Sequence, residues 1–390
     1  MTRIANLIVL LICCQSIFAD EQSIGSLFNS YQEHLNNGEY LMALDQVNQA
    51  HDISIIKYGS EHATTQKLKI NLAKLYVEQR ERNPDFDDSH AKQLLREYIH
   101  YQTAEEGKWS INLIDPLMSL GTVHLWYKSK LLGDRRSFRD RNRRFGGDRI
   151  TANAVIRDGR FKAISLFERA IGIAEKHIKQ HPLLVADLKF EVAKSLFGRG
   201  IEFDRATKML IYSYNDYSAN LTAIDARVIL SAFYIAKSFA LSGDFEQSNE
   251  YYKRVVIGYK QAGHENHAKV IESYIAIVAN YEQLGMSDKA TPYCVAIGQL
   301  RPWLKAREQE SIYSPSIELS VSNKIESAQA RLRLTIDIHG KVSEVEELAY
   351  EGGRELLPII LKAIKKRRYA PNIINSVAIE STTEAIVSIQ

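Results

Sequence analysis

His264-Glu265-Asn266-His267 places two imidazoles three positions apart with a carboxylate between them, the raw material of a hydrolytic metal site. A zinc-binding helix needs its two histidines four apart, so that both face one ion, and this run lacks that spacing. It reads instead as a polar turn between helices. Cys294 falls on the packing face of its helix, where a thiol is a small apolar group rather than a nucleophile. No Gly-x-Ser-x-Gly elbow, phosphate-cradling glycine loop or dinucleotide fingerprint occurs. Asp337 and the acidic run from Glu344 to Glu347 sit on a hairpin surface and make no acid–base pair. The sequence therefore predicts no catalytic residue, no metal site and no cofactor.

Binding chemistry is better represented. Arg135, Arg136, Arg139, Arg141, Arg143, Arg144 and Arg149 are interspersed with Asp134, Asp140 and Asp148. Guanidinium groups pair bidentately with phosphate, so the first six are candidate anion contacts, toward lipid or lipopolysaccharide. The competing reading, which the mixed charge favours, is a solvated and partly helical loop whose aspartates pair locally. A formal charge of +3 over 390 residues implies no polyanion partner for the molecule as a whole. Nucleic acid is not expected.

The elements that carry these residues are mainly helical. Ile235-Ala236/Phe239 recurs as Ile277-Val278/Tyr281, and Gly243 as Gly285, at a constant spacing of 42 residues. A fixed period of that size marks a stacked repeat array, with a plain helical bundle as the competing form. The second helix of each hairpin carries a small residue, then a bulky one four positions later and an apolar or small one after seven. The sets are Ala43/Val47/Ala50, Ala91/Leu95/Tyr98, Ala163/Phe167/Ala170, Ala206/Leu210/Ser213, Ser248/Tyr252/Val255 and Ala290/Cys294/Ile297. That spacing puts all three on one face, where the small residue admits a close helix neighbour. Gly38, Gly200, Gly243 and Gly285 stand where the chain leaves one helix for the next. Tyr212, Tyr214 and Tyr217 are placed to line a groove. About 30 residues, 128–158, exceed the period and read as an insertion.

Gly38-x-Tyr40-x-x-Ala43, Gly243-x-Phe245-x-x-Ser248, and the junction Lys57-Tyr58-Gly59-Ser60-Glu61-His62 resemble the long variant of the tetratricopeptide repeat. The resemblance implies an extended binding surface for a peptide or protein.

Beyond Pro302 the pattern changes. Leu332, Leu334, Ile336 and Ile338 alternate as one strand face, His339-Gly340 makes a turn, and Val342 to Leu348 alternates again. Leu356, Ile359, Ile360, Ala363 and Ile364 form the apolar face of a helix ending in Lys365-Lys366-Arg367-Arg368, where positive charge suits the helix C-terminus. Glu384 to Gln390 is a closing strand. Thr335-Ile336-Asp337-x-x-Gly340-x-Val342 and Arg368-Tyr369-x-Pro371 resemble the C-terminal domain of TonB, the energy transducer of Gram-negative bacteria. The resemblance implies capture of a partner peptide by strand addition. Arg368, Tyr369, Pro371, Glu384, Ala385, Ile386 and Val387 are its candidate docking residues. The chain departs from that family in having only 8 prolines, with helices where a proline-rich spacer stands.

Arg3, the apolar run from Ile4 to Cys14, and Ala19 before Asp20 read as a secretory signal peptide, with an uncleaved anchor as the alternative. Cleavage would leave Cys294 as the sole cysteine and no intrachain disulfide. The expected organisation is a signal peptide at 1–19, helical repeats at 20–302, a connector at 303–325 and an α+β domain at 326–390. The fold class is mainly α, a helical-hairpin solenoid followed by that small α+β domain. The expected function is a non-enzymatic periplasmic scaffold with a protein or peptide partner in the cell envelope. The alternative is an inner-membrane-anchored accessory or variant transducer in TonB-dependent transport, with an outer-membrane transporter as partner.

Overall fold

The computed structural model describes residues 24–83, 86, 89–126, 148–300, 309, 311–317 and 327–389. The chain divides into two compact units, 1–188 and 189–390.

The first unit is a run of antiparallel helices: α1 (24–36), α2 (Tyr40–Tyr58), α3 (Ala63–Arg82), α4 (Ser89–Glu106), α5 (Ile114–Leu125) and α6 (Asp148–Lys176). Consecutive helices pack against each other because the small residues remove bulk at the seam. Ala43, Ala91 and Ala163 are all fully buried, as are the bulky partners Val47 and Leu95. In α4 the inward positions are Ile99 and Gln102, while Tyr98 is half-buried, one step off the expected face. Gly121 has a steric reason: a Cβ there would stand 2.4 Å from the Phe167 ring. Residues 148–158, assigned to the insertion from sequence, begin the 29-residue helix α6 that also carries Ala163.

The second unit holds α7 (Leu184–Gly198), whose first turn precedes the division, α8 (Phe203–Asn220), α9 (Ala226–Ser242), α10 (Phe245–Gln261), α11 (Ala268–Gln283) and α12 (Ser287–Gln299). Gly243 and Gly285 close their helices at φ of +82° and +69°, the left-handed cap that glycine adopts without strain. Ala206, Ser248 and Ala290, spaced at the repeat period, are each fully buried. The Ser248 hydroxyl donates to the Ala236 carbonyl at 2.9 Å, and the Asn280 amide donates to Ser248 Oγ at 2.8 Å. One buried polar pin thus ties adjacent hairpins together.

The α+β segment follows in the same unit. β2 (Ala328–Ile336) is the middle strand of an antiparallel sheet, between β3 (Val342–Gly352) and β7 (Ser381–Ile389). α13 (Leu357–Lys365) covers one face with Ile360 and Ile364 against Leu332, Leu334 and Ile336. Ile338, expected on the buried face, is 46% exposed. The strand has already ended, because Asp337 folds into a turn and its carboxylate accepts from the His339 and Lys341 amides at 2.9 and 2.8 Å. Two small pairings were not anticipated. β1 (Ser311–Tyr313) pairs with β4 (Arg368–Tyr369), and β5 (Asn372–Ile374) with β6 (Val377–Ile379).

Candidate functional site

Among the described residues β7 is an edge strand of its sheet, paired on one side with β2 in unbroken register from Ser381 to Ile389. An edge leaves a row of backbone N–H and C=O groups that a further strand can use. Its inward residues Thr383, Val387 and Ile389 are buried, and Ala385 is half-buried above α13 and the sheet core. Outward, Ile386 is 65% exposed. Glu384 accepts from Arg331 Nη2 at 2.7 Å and lies 3.6 Å from Arg333, which holds its carboxyl below the usual range. Glu384, Ala385, Ile386 and Val387 therefore lie together on one strand edge, with an apolar side chain offered to solvent.

The Arg-Tyr-x-Pro run lies elsewhere, and inside. Arg368 is 2% exposed, and its guanidinium donates to Glu282 Oε1 at 2.7 Å, Ser287 O at 2.9 Å and Ser287 Oγ at 2.8 Å. Its second nitrogen donates to Thr291 Oγ1 at 3.0 Å and His339 O at 2.9 Å. Tyr369 is buried in the sheet core and its amide donates to Gly340 O at 2.9 Å. Gly340 has φ +75°, and a Cβ there would fall 2.1 Å from Tyr369 O, so only glycine allows this approach. Pro371 is buried as well, its carbonyl so near α12 that a Cβ on Gly298 would meet it at 2.7 Å. Arg368, Tyr369 and Pro371, expected at a partner surface, instead clamp the α+β segment to the last helical hairpin. Lys341 adds an ion pair to Asp288 at 2.8 Å. Sequence reasoning missed Glu282, Ser287, Asp288 and Thr291 as the other half of this clamp. They lie about 80 positions from Arg368 in the chain, too far for a local pattern to connect them.

The remaining candidates have ordinary places. His267 caps α11, accepting from the Lys269 amide at 3.1 Å, and stacks on Tyr259 at 4.2 Å between ring centroids. Among the described residues no group of three His, Cys, Asp or Glu side chains is arranged to hold a metal ion. Cys294 is fully buried, and burial pushes its thiol up to about 11. Tyr217 is fully buried and lines no groove, whereas Tyr212 is 41% exposed under the Lys189 ammonium at 3.5 Å. Tyr214 accepts from Arg254 Nη1 at 3.2 Å and meets Tyr251 edge-on. Arg135, Arg136, Arg139, Arg141, Arg143 and Arg144 lie outside the described residues, as do residues 1–19. No helix among the described residues is long and apolar enough to cross a membrane.

The helices and their seams define an array of helical-hairpin repeats of the tetratricopeptide-like kind, ending in a small antiparallel α+β segment. No family model matches the chain, and no curated protein matches it. Among solved structures it is similar to a Podosopora anserina putative kinesin light chain with nearly identical TPR-like repeats, at 15% identity and a TM-score of 0.44, covering 61% of this chain and 96% of that one. A single-substitution form of that protein is similar at 15% identity and a TM-score of 0.45, covering 62% and 96%. BtubC (BKLC) from P. vanneervenii is similar at 18% identity and a TM-score of 0.44, covering 78% and 99%. Likenesses this loose carry no functional argument, which rests on the chain's own geometry.

Proposed function

We propose that this chain is a non-enzymatic scaffold that acts in the periplasm, its helical repeats and its C-terminal sheet each presenting a surface to a protein partner. The observation that carries this reading is the open edge of β7 with Ile386 standing out from it. Strand addition takes affinity from main-chain hydrogen bonds and specificity from alternate side chains, and that edge offers both. The apolar run from Ile4 to Cys14 supports export. The TonB-like strand order and the Asp337-x-x-Gly340-x-Val342 hairpin support an envelope partner, with an outer-membrane transporter as the narrower choice.

The test is capture from envelope extract by full-length protein and by two edge variants. Ile386→Lys places a charge on an exposed edge position without touching the core. Ala385→Pro interrupts the strand backbone. Loss of the same captured band in both, at unchanged circular dichroism for Ile386→Lys, supports the reading. Capture that survives both excludes the edge as the docking surface. Mature N-terminal sequencing decides the place: a chain starting at Asp20 is released, and one starting at Met1 is anchored, as an accessory transducer would be.

A further inference from the structure

A cleft of about 990 Å³ opens between the end of α11 and the α+β segment, far larger than one inorganic anion needs. One wall is a single face of α13. Pro358, Ile359, Lys362, Ala363 and Lys366 recur there at helical spacing, with Lys365 beside them. The opposite wall carries Gln283 and Tyr313, the amide donating to the hydroxyl at 3.4 Å and both keeping further hydrogen-bonding capacity for an occupant. Charge in the cleft is unbalanced. Among the described residues Glu282 is the one acidic residue lining it, and Arg368 already occupies that carboxylate at 2.7 Å. Lys341 is taken by Asp288 at 2.8 Å. Lys362, Lys365 and Lys366 are exposed and have no acidic partner among the described residues. Lys362 and Lys365 stand in the last turn of α13 and Lys366 caps it, so the helix C-terminus accounts for this charge in part.

From this charge excess we propose that the cleft docks an acidic peptide segment of a partner protein, its carboxylates on the three lysines. Alternating apolar and hydrogen-bonding positions such as Ile317, Ser316 and Gln283 suit a peptide chain better than an acyl tail, which needs a continuous apolar wall. This surface is separate from the β7 edge, so either reading survives the failure of the other.

The test uses full-length protein and fluorescein-labelled hexaglutamate, read by anisotropy in low salt, with hexaglutamine as the uncharged control. Saturable binding of hexaglutamate alone is expected. The variant K362Q/K365Q/K366Q weakens it about tenfold or more, and K208Q/K260Q/K289Q, with the same change in net charge, alters it less than about twofold. Ser316→Trp narrows the cleft at constant charge and weakens binding too. Equal losses in the two triple variants, or full binding in Ser316→Trp, overturn the proposal. So does inorganic phosphate that displaces the peptide at equal concentration. Binding of phosphatidylglycerol vesicles lost in the same cleft variant overturns it in favour of a lipid surface.

Discussion

Arg368 donates to Glu282 across 2.7 Å although 86 residues separate them in the chain. The pair joins the strand after the last helix to the end of a repeat helix, and Ser287, Thr291 and His339 complete the guanidinium's partners. A charge this enclosed is not a stability gain in itself, since desolvation offsets most of the attraction. What it supplies is a fixed docking register, because a planar fork with five donors fits few acceptor arrangements.

Removing Arg368 leaves Glu282 enclosed without its counter-charge. Arg368→Ala is expected to cost about 3–5 kcal/mol, seen in urea unfolding. Arg368→Lys keeps the charge and loses the fork, so it recovers only part of the stability. An Arg368→Ala protein as stable as the parent contradicts the clamp.

Cys294 is enclosed by the same contact, and burial raises its thiol to about 11 against an ordinary 9. The neutral thiol is favoured in the folded chain, so its contribution is complete below pH 9 and is lost as pH rises toward 11. Native protein at pH 8 is expected to resist a thiol reagent that labels it at once in denaturant. Rapid labelling of folded protein would show this helix seam to be open.

His124 behaves in the opposite direction. Burial, then Lys92, Arg96 and Lys162, lower its imidazole to about 4 from 6.5. The folded chain holds it neutral, so its contribution is present above pH 6.5 and is lost as pH falls toward 4. Thermal stability should decline over that interval, and His124→Gln should flatten the decline. Parallel profiles for the two proteins would remove His124 as the cause.

The arginines at 135–144 carry the prediction that their replacement by glutamine weakens association with lipopolysaccharide in low salt. Unchanged association makes the segment a plain solvated loop.

Much of the scaffold was legible because helix packing writes itself locally. A small residue, a bulky one four later and a third after seven mark a buried face, and Ala163, Ala206, Ser248 and Ala290 lie on it in the structure. The β2–β3 hairpin was legible for the same reason, its alternation being a property of neighbouring residues. Arg368 was not. A run of basic residues at a helix end reads as charge that suits the helix C-terminus, and nothing near Arg368 in the chain announces that Glu282 will receive it. Tyr217 misled in a related way, since a tyrosine-rich helix shows no difference in sequence between a wet face and a dry one. The β1–β4 pairing was invisible because three residues of strand, Ser311–Tyr313, have no period to detect.

The proposed docking of a partner on β7 is open to a direct probe. It is a photo-crosslinking residue at Ile386, exposed on that edge, with the same residue at exposed Ile224 on the helical array as the control. One discrete protein adduct is expected from position 386 in envelope preparations, absent from position 224 and lost on adding Ala385→Pro. No adduct at position 386, or the same adducts from both positions, would contradict it.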